Sequence, residues 1–423
     1  MDSLNASKKE GGKMTKEMDD LRKTFQEKAK DALDKTPIYG PDIDLSRFHG
    51  REIEKVKIDL ANSQVARKLE TVGIDVTEKS RVGSYYQVDN IVINELSKHP
   101  GVEILSLEEA FEEFGKDLLD YYWRAVPVDR DKFTAAVELI GKGGYVIWVK
   151  KNVKVPYPIQ TCLMVFSDDI IQAPHNIIIV EPGSEVTVIT GCLVMREALA
   201  LHAGVSEFYV GENAKVTFIM IHGWNKNMHV RPRTGAIIEN NGVFISHYIN
   251  MAPVASLQTY PVVKLLGDNS RCHLSTVIVG RENAIIDVGG ESILSGDDSK
   301  SEIISRVIGR DYAKITARGQ IVGNANNVKG HLECRGLLLS ENAEITTVPV
   351  LASNKLNIEL THEASIGKLA EDEILYLMAR GFSKEEAEAL LVRGFMKVDI
   401  EGIPENLKKM IDKTIEILSK QAL

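Results

Sequence analysis

Long apolar runs are missing from this chain, and none approaches the roughly 18 residues a helix needs to cross a bilayer. The opening stretch, MDSLNASKKEGGKMTKEMDD, is charged throughout and has no apolar centre, so a secretory signal is not expected and the reading is cytoplasmic. An excess of positive charge is also missing: the formal net charge is −9, which argues against nucleic acid as the main partner. No CxxC pair exists. Cys162, Cys192, Cys272 and Cys334 stand singly, so neither a complete zinc finger nor a ferredoxin-type motif is encoded. Phosphate loops (GxxxxGK[ST]), GxGxxG turns opening a helix, GxSxG elbows and HExxH are all absent, so this chain is not expected to be an enzyme or to hydrolyse nucleotides. With 6% aromatics, a sugar-binding groove has little support.

What is present falls into three regions. Residues 1–130 read as mainly helical. Met18, Leu21, Phe25, Ala29 and Leu33 recur at helical spacing, and Ser106 with Glu109 makes a capping box before LEEAFEEFGKDLLDYYW. The motif YYWRAVPVD (121–129) closes this part.

Residues 131–369 carry short β-branched runs with no helical period between them. A turn recurs: VGENAKVTF (210–218), LGDNSRCHL (266–274), SGDDSKSEI (295–303) and LSENAEITT (339–347), with looser copies at VEPGSEVTV (180–188) and IGRDYAKIT (308–316). Ser184 and Ala214 are 30 residues apart, Ser270 and Ser299 are 29, and Ala313 and Ala343 are 30. A period of that length, made of strands alone, predicts the stacked coils of a parallel β-helix. A propeller would need longer repeats and Trp-Asp signatures. Gly and Asn would supply the left-handed backbone of each turn, and the small Ala or Ser would tuck beneath the next strand.

Residues 370–423 return to helix. EDEILYLMARGF stops at Gly381, Ser383 and Glu386 form a second capping box, and ENLKKMIDKTIEILSKQ places Leu407, Ile411, Ile415 and Leu418 on one face. These helices show more apolar surface than they can bury alone.

Soft and borderline ligands gather late in the β-region, at KGHLECRG (329–336) and ELTHEASIG (359–367). Cys334 and His362–Glu363 lie 28 residues apart, almost one period, which predicts that they sit close together on the same face. Thiolate, imidazole and carboxylate can together hold iron.

At these residues the chain resembles the SufB/SufD family of iron–sulfur assembly proteins, in particular the short, archaeal-type SufB. The likeness rests on YYWRAVPVDRDKFTAAVELIGKGGYVIWVKKNVKV (121–155), IIIVEPGSEVTVITGC (177–192), FYVGENAKVTF (208–218) and THEASIGKLAEDEILYLMARGFSKEEAEALLVRGF (361–395). The His362–Glu363 pair is SufB-like, where SufD-type chains tend to carry His-Gly.

The resemblance implies a right-handed parallel β-helix with helical flanks. It also implies a scaffold on which a transient iron–sulfur cluster is built. Cys192 would accept persulfide sulfur, and Cys334, His362 and Glu363 would hold the nascent cluster at a subunit interface. Sulfur would pass through the β-helix interior from Cys192 to Cys334. The implied partners are a SufC-type ATPase on the C-terminal helices, a second SufB or SufD chain, a cysteine desulfurase or other sulfur donor, and apo iron–sulfur proteins. Reduced flavin is a further candidate cofactor.

This chain departs from the family at His222, at Arg233, and in the apolar character of QTCLMVFSDD (160–169). Cys162 and Cys272 carry no implied role and read as core. Arg196 and His202 are candidates to activate Cys192. Two other readings remain: a SufD-like partner that holds no cluster, and a carbohydrate-active β-helix enzyme.

Overall fold

The computed structural model describes residues 16–50, 58–60, 62–396 and 409. Its centre is a parallel β-solenoid of about eight turns. The ten-stranded sheet runs from the hairpin Ile91–Ser97 and Gly83–Val88 through Ile159–Val165, Glu185–Val194, Lys215–Gly223, Val243–Asn250, Arg271–Gly280, Lys300–Gly309 and Val328–Leu338 to Ile358–Lys368. The second sheet begins at Val102–Ser106 and Tyr145–Val149 and includes Ile285–Leu294, Lys314–Gly323 and Glu344–Ser353. Pairing between coils is parallel, with Glu185 opposite Lys215, Arg271 opposite Lys300 and Lys329 opposite Glu359.

The recurring turn does what its residue types predict. Asn213, Asn269, Asp298 and Asp311 all have φ between 55° and 59°, a conformation that asparagine and aspartate tolerate better than most residues. The small residue that follows is buried in every copy: Ser184, Ala214, Ser270, Ser299, Ala313 and Ala343. Ser270 and Ser299 donate to the carbonyls of Gly267 and Gly296 at 2.7 and 2.8 Å, which closes each turn.

Strand alternation then sorts the side chains. Val186, Val188, Cys192 and Val194 enter the interior core with Ile178 and Phe208. Ile189 and Leu193, on the opposite face, cluster with Leu69 of the helix Ser63–Glu70 and with Val72 and Ile74 just after it. Phe208, Phe218 and Phe244 stack in the interior with ring centroids 4.7 and 5.0 Å apart.

The N-terminal region is helical at Lys16–Ala32, where Phe25 and Ala29 are buried. Ser106 caps the helix Leu107–Phe114, which stops at Gly115 (φ 53°) rather than continuing to Trp123. The expectation of helix over 1–130 omits three strands: Gly83–Val88, Ile91–Ser97 and Val102–Ser106 belong to the solenoid sheets.

The YYWRAVPVD segment docks on a buried carboxylate. Glu207 accepts from the backbone N–H groups of Trp123, Ala125 and Val126 at 2.6–3.0 Å and meets His175 Nε2 at 2.7 Å. Arg233 is likewise buried, with its Nε donating to Asp131 Oδ2 at 2.7 Å, so this side chain is a structural clamp. Asp131 in turn caps the helix Lys132–Ile140.

At the C-terminal end are the helices Glu371–Ala379 and Lys384–Met396, separated at Gly381 (φ 99°). Ser383 and Glu386 exchange both bonds of a capping box, at 2.8 and 3.1 Å. Val392 and Met396 pack with Ile308 and Leu337, while Leu375, Tyr376, Met378, Phe382 and Leu390 stay exposed. The predicted segment 405–421 lies outside the described residues except for residue 409. No described helix is long and apolar enough to cross a membrane.

Candidate functional site

Cys192 and Cys334 both project into the interior of the solenoid, as does Cys272. Cys162 faces the other way and packs with Tyr86, Met164 and Ile189. Burial makes both of these unassigned thiols core residues: it pushes the Cys272 thiol up to about 12 and Cys162 further. Five strand spacings separate Cys192 from Cys334, roughly 24 Å at about 4.8 Å each.

Between them runs a file of interior positions set by register. Thr190 lies opposite Met220, then Tyr248, Thr276, Ser305 and finally Cys334. Cys192 itself lies opposite His222, whose Nδ1 is 2.9 Å from Tyr248 Oη. Leu163, from the apolar stretch at 160–169, is the strand neighbour of Cys192. Polar lining persists beside it, where Thr161 and Thr190 hydroxyls meet at 2.7 Å and Thr161 donates to Tyr145 at 3.2 Å. Further along, Met220, Tyr248 and Thr276 border an internal cavity of about 30 Å³, room for one water-sized group. His202, His222 and Trp224 form an aromatic cluster with centroids 5.1–6.1 Å apart.

Cys192 is fully buried, and burial holds its thiol well above the ordinary range with no cation offsetting it. Neither proposed activator supplies one. Arg196 donates to Phe166 O at 2.6 Å and lies over the Phe166 ring at the surface. His202 bonds Gln172 through Nδ1, and burial lowers its pKa to about 3, so it is neutral.

The other end divides the expected ligand set. Register places Cys334 opposite Ala364, Leu332 opposite His362, and Glu333 opposite Glu363. His362 therefore shares the inner face with Cys334, and Glu363 does not. Adjacent residues on a strand point to opposite faces, so one period of separation cannot bring both to Cys334. His362 Nε2 is buried without a hydrogen-bonding partner in the protein, the condition of a ligand atom waiting for its acceptor. Burial, aided by Glu333, pushes the Cys334 thiol up to about 11.

Glu363 joins His331 and Glu333 on the outer face, and their ligand atoms lie within 4.8 Å of one another. His331 Nδ1 is held by Thr361 at 2.8 Å, which leaves Nε2 available. Arg335, at 3.0 Å, and Arg306, at 3.5 Å, compete for Glu333. The sequence reading named neither His331 nor Glu333, although both sit close to one period before the THEAS segment.

The chain is similar to known proteins of one family. Residues 164–395 match the family described as "SUF system FeS cluster assembly, SufBD core domain". An iron–sulfur cluster assembly SufBD family protein of Methanothermobacter thermautotrophicus (strain Winter) is 39% identical, covering 94% of this chain and 99% of its own length. One of Archaeoglobus fulgidus is 42% identical over 84% of this chain and 95% of its own. One of Pyrococcus horikoshii is 33% identical over 92% and 91%. With the family model over residues 164–395 and these relatives in hand, the chain belongs to the SufBD family of iron–sulfur cluster assembly proteins.

Proposed function

We propose that this protein is the SufB-type scaffold of its assembly system, taking sulfur at Cys192 and holding a nascent cluster at the end of the solenoid near Cys334. The observation that carries the reading is the shared interior. Cys192 and Cys334 open into one core, and His222, Tyr248, Thr276 and Ser305 lie on the inner face between them.

In the sulfur step, Cys192 thiolate attacks the outer sulfur of a donor persulfide. The donor S–S bond breaks and the donor leaves as a thiolate. A neutral, buried thiol cannot do this, so acceptance requires an opening that exposes Cys192 and lets it ionise. At the far end, Cys334 and His362 supply the inner ligands, one thiolate and one imidazole. So few ligands from one chain suit release of the cargo better than permanent binding, and a second chain would complete the set across the open end. Glu363 serves from the outer face, beside His331 and Glu333. The exposed apolar residues Leu375, Tyr376 and Phe382 offer a docking surface for a partner ATPase. Reduced flavin, as a source of electrons, belongs to the same proposal.

Anaerobic reconstitution with iron and sulfide tests the reading. A labile, visible-absorbing cluster is expected, lost in Cys334→Ser and reduced in His362→Ala. A colourless protein, or a Cys334→Ser variant that loads like the parent, would overturn it. A SufD-like role would instead show as ATPase binding without any cluster.

A further inference from the structure

The outer face of the ten-stranded sheet carries imidazoles that the scaffold reading leaves unused. Ile245 pairs with His273, so His247 and His273 are diagonal neighbours on adjacent strands, on one face. Their ring centroids are 5.6 Å apart. His247 is 2% exposed, and both of its ring nitrogens are buried with no hydrogen-bonding partner in the protein. His273 Nε2 is in the same state. Three unsatisfied imidazole nitrogens at one place are costly unless something accepts them.

The second observation is the orientation of His273. Its Nδ1 lies 2.8 Å from Glu302 Oε2, with Glu302 directly opposite on the next strand. A carboxylate on the far nitrogen is the usual way a protein fixes the tautomer and direction of a metal-binding histidine. The separation fits as well. With metal–nitrogen distances of about 2.0–2.1 Å and about 1.1 Å more to each ring centre, two imidazoles on one tetrahedral ion have centroids roughly 5 Å apart. A shift of a few tenths of an ångström per ring closes the difference. Burial keeps His247 neutral, the form that ligates.

We propose that His247 and His273 bind one divalent transition-metal ion, with Glu302 positioning His273. Two imidazoles select zinc, iron(II), nickel or copper over calcium and magnesium. The site borders a groove of about 630 Å³, also lined by Arg306 and His331, from which solvent completes the coordination shell. Open positions filled by solvent make the ion exchangeable rather than a structural staple. The site stands apart from the Cys334 site: that thiol points inward, and these rings point outward.

Cobalt(II) titration of the full-length, reduced, metal-stripped Cys334→Ser protein tests this, in a background without the thiolate of the proposed cluster site. One ion per chain is expected, giving visible d–d absorption without the near-ultraviolet charge transfer of a thiolate ligand. His247→Gln and His273→Gln should each weaken binding at least tenfold, and Glu302→Gln by about 10–100-fold. Circular dichroism checks each fold. If His247→Gln does not fold, the less buried His273→Gln carries the test. Absence of binding, thiolate charge transfer, persistence in both histidine variants, or loss in His331→Gln alone would each overturn the assignment. A protein that binds cobalt this way yet builds no cluster would retain the metal site and sink only the scaffold reading.

Discussion

The two ends of the solenoid are built from the same repeat and finished in opposite ways. At the first coils, Glu185–Val194 is buried almost throughout, and the strands of residues 83–106 close the sheets with antiparallel partners. At the last coil, Glu344–Ser353 and Ile358–Lys368 are mostly exposed, and among the described residues no strand lies beside their outer edges. Val350, Leu351, Leu356 and Ile366 face solvent there. Bare edges of that length invite another chain. The closed end therefore holds stability, and the open end, beside Cys334 and His362, is where the proposed association would form.

The sharpest way to break this contrast is Glu207→Ala. It orphans three backbone N–H groups and His175 at the closed end and should cost about 3–5 kcal/mol, read as a lower urea midpoint. No matching loss is expected from any single substitution in the last coil.

Acid should weaken the closed end next. The folded pKa of His202 is lowered to about 3, against 6.5 when free, so the unfolded chain binds its proton first. Stability is complete above pH 6.5 and falls as pH drops from there toward 3, by at most about 1.4 kcal/mol per unit for this group. Urea midpoints between pH 7.5 and 5 should show the slope, and His202→Gln should flatten it.

At the open end, Leu351→Ser and Ile366→Ser should change monomer stability by less than about 0.5 kcal/mol. Where the proposed second chain is a copy of this one, they should shift a dimer toward monomer in light scattering. A dimer that survives both would move the interface elsewhere. The smallest change belongs to alkylation: native Cys192 should react far more slowly than the same thiol in urea, and a fast native reaction would contradict its burial.

Much of this was readable in advance. The left-handed Asn213 and Asn269, each followed by a buried small residue, encode the coil locally, so the solenoid could be read from its turns. Residues 83–106 were harder, because their strands are recruited by pairing with distant residues such as Ile159 and Tyr145, and no repeat marks them. The position of Cys334 was legible from the period. The split between His362 and Glu363 was legible too, since neighbours on a strand must diverge, but closeness was inferred from period alone. The same spacing carried an unread signal: His273, Glu302 and His331 are 29 residues apart in succession. Charge, exposure and free nitrogens turned that spacing into chemistry, and those depend on which face is covered.

The coil register has one more consequence. Because each circuit returns a residue to the same face after 28–30 positions, the distance between Cys192 and Cys334 is quantised. Inserting or deleting a whole circuit would move Cys334 by one strand spacing and keep it facing inward. A change of one residue within a strand would turn it outward. Evolution can therefore adjust the length of this protein only in whole steps, as a ladder gains or loses rungs.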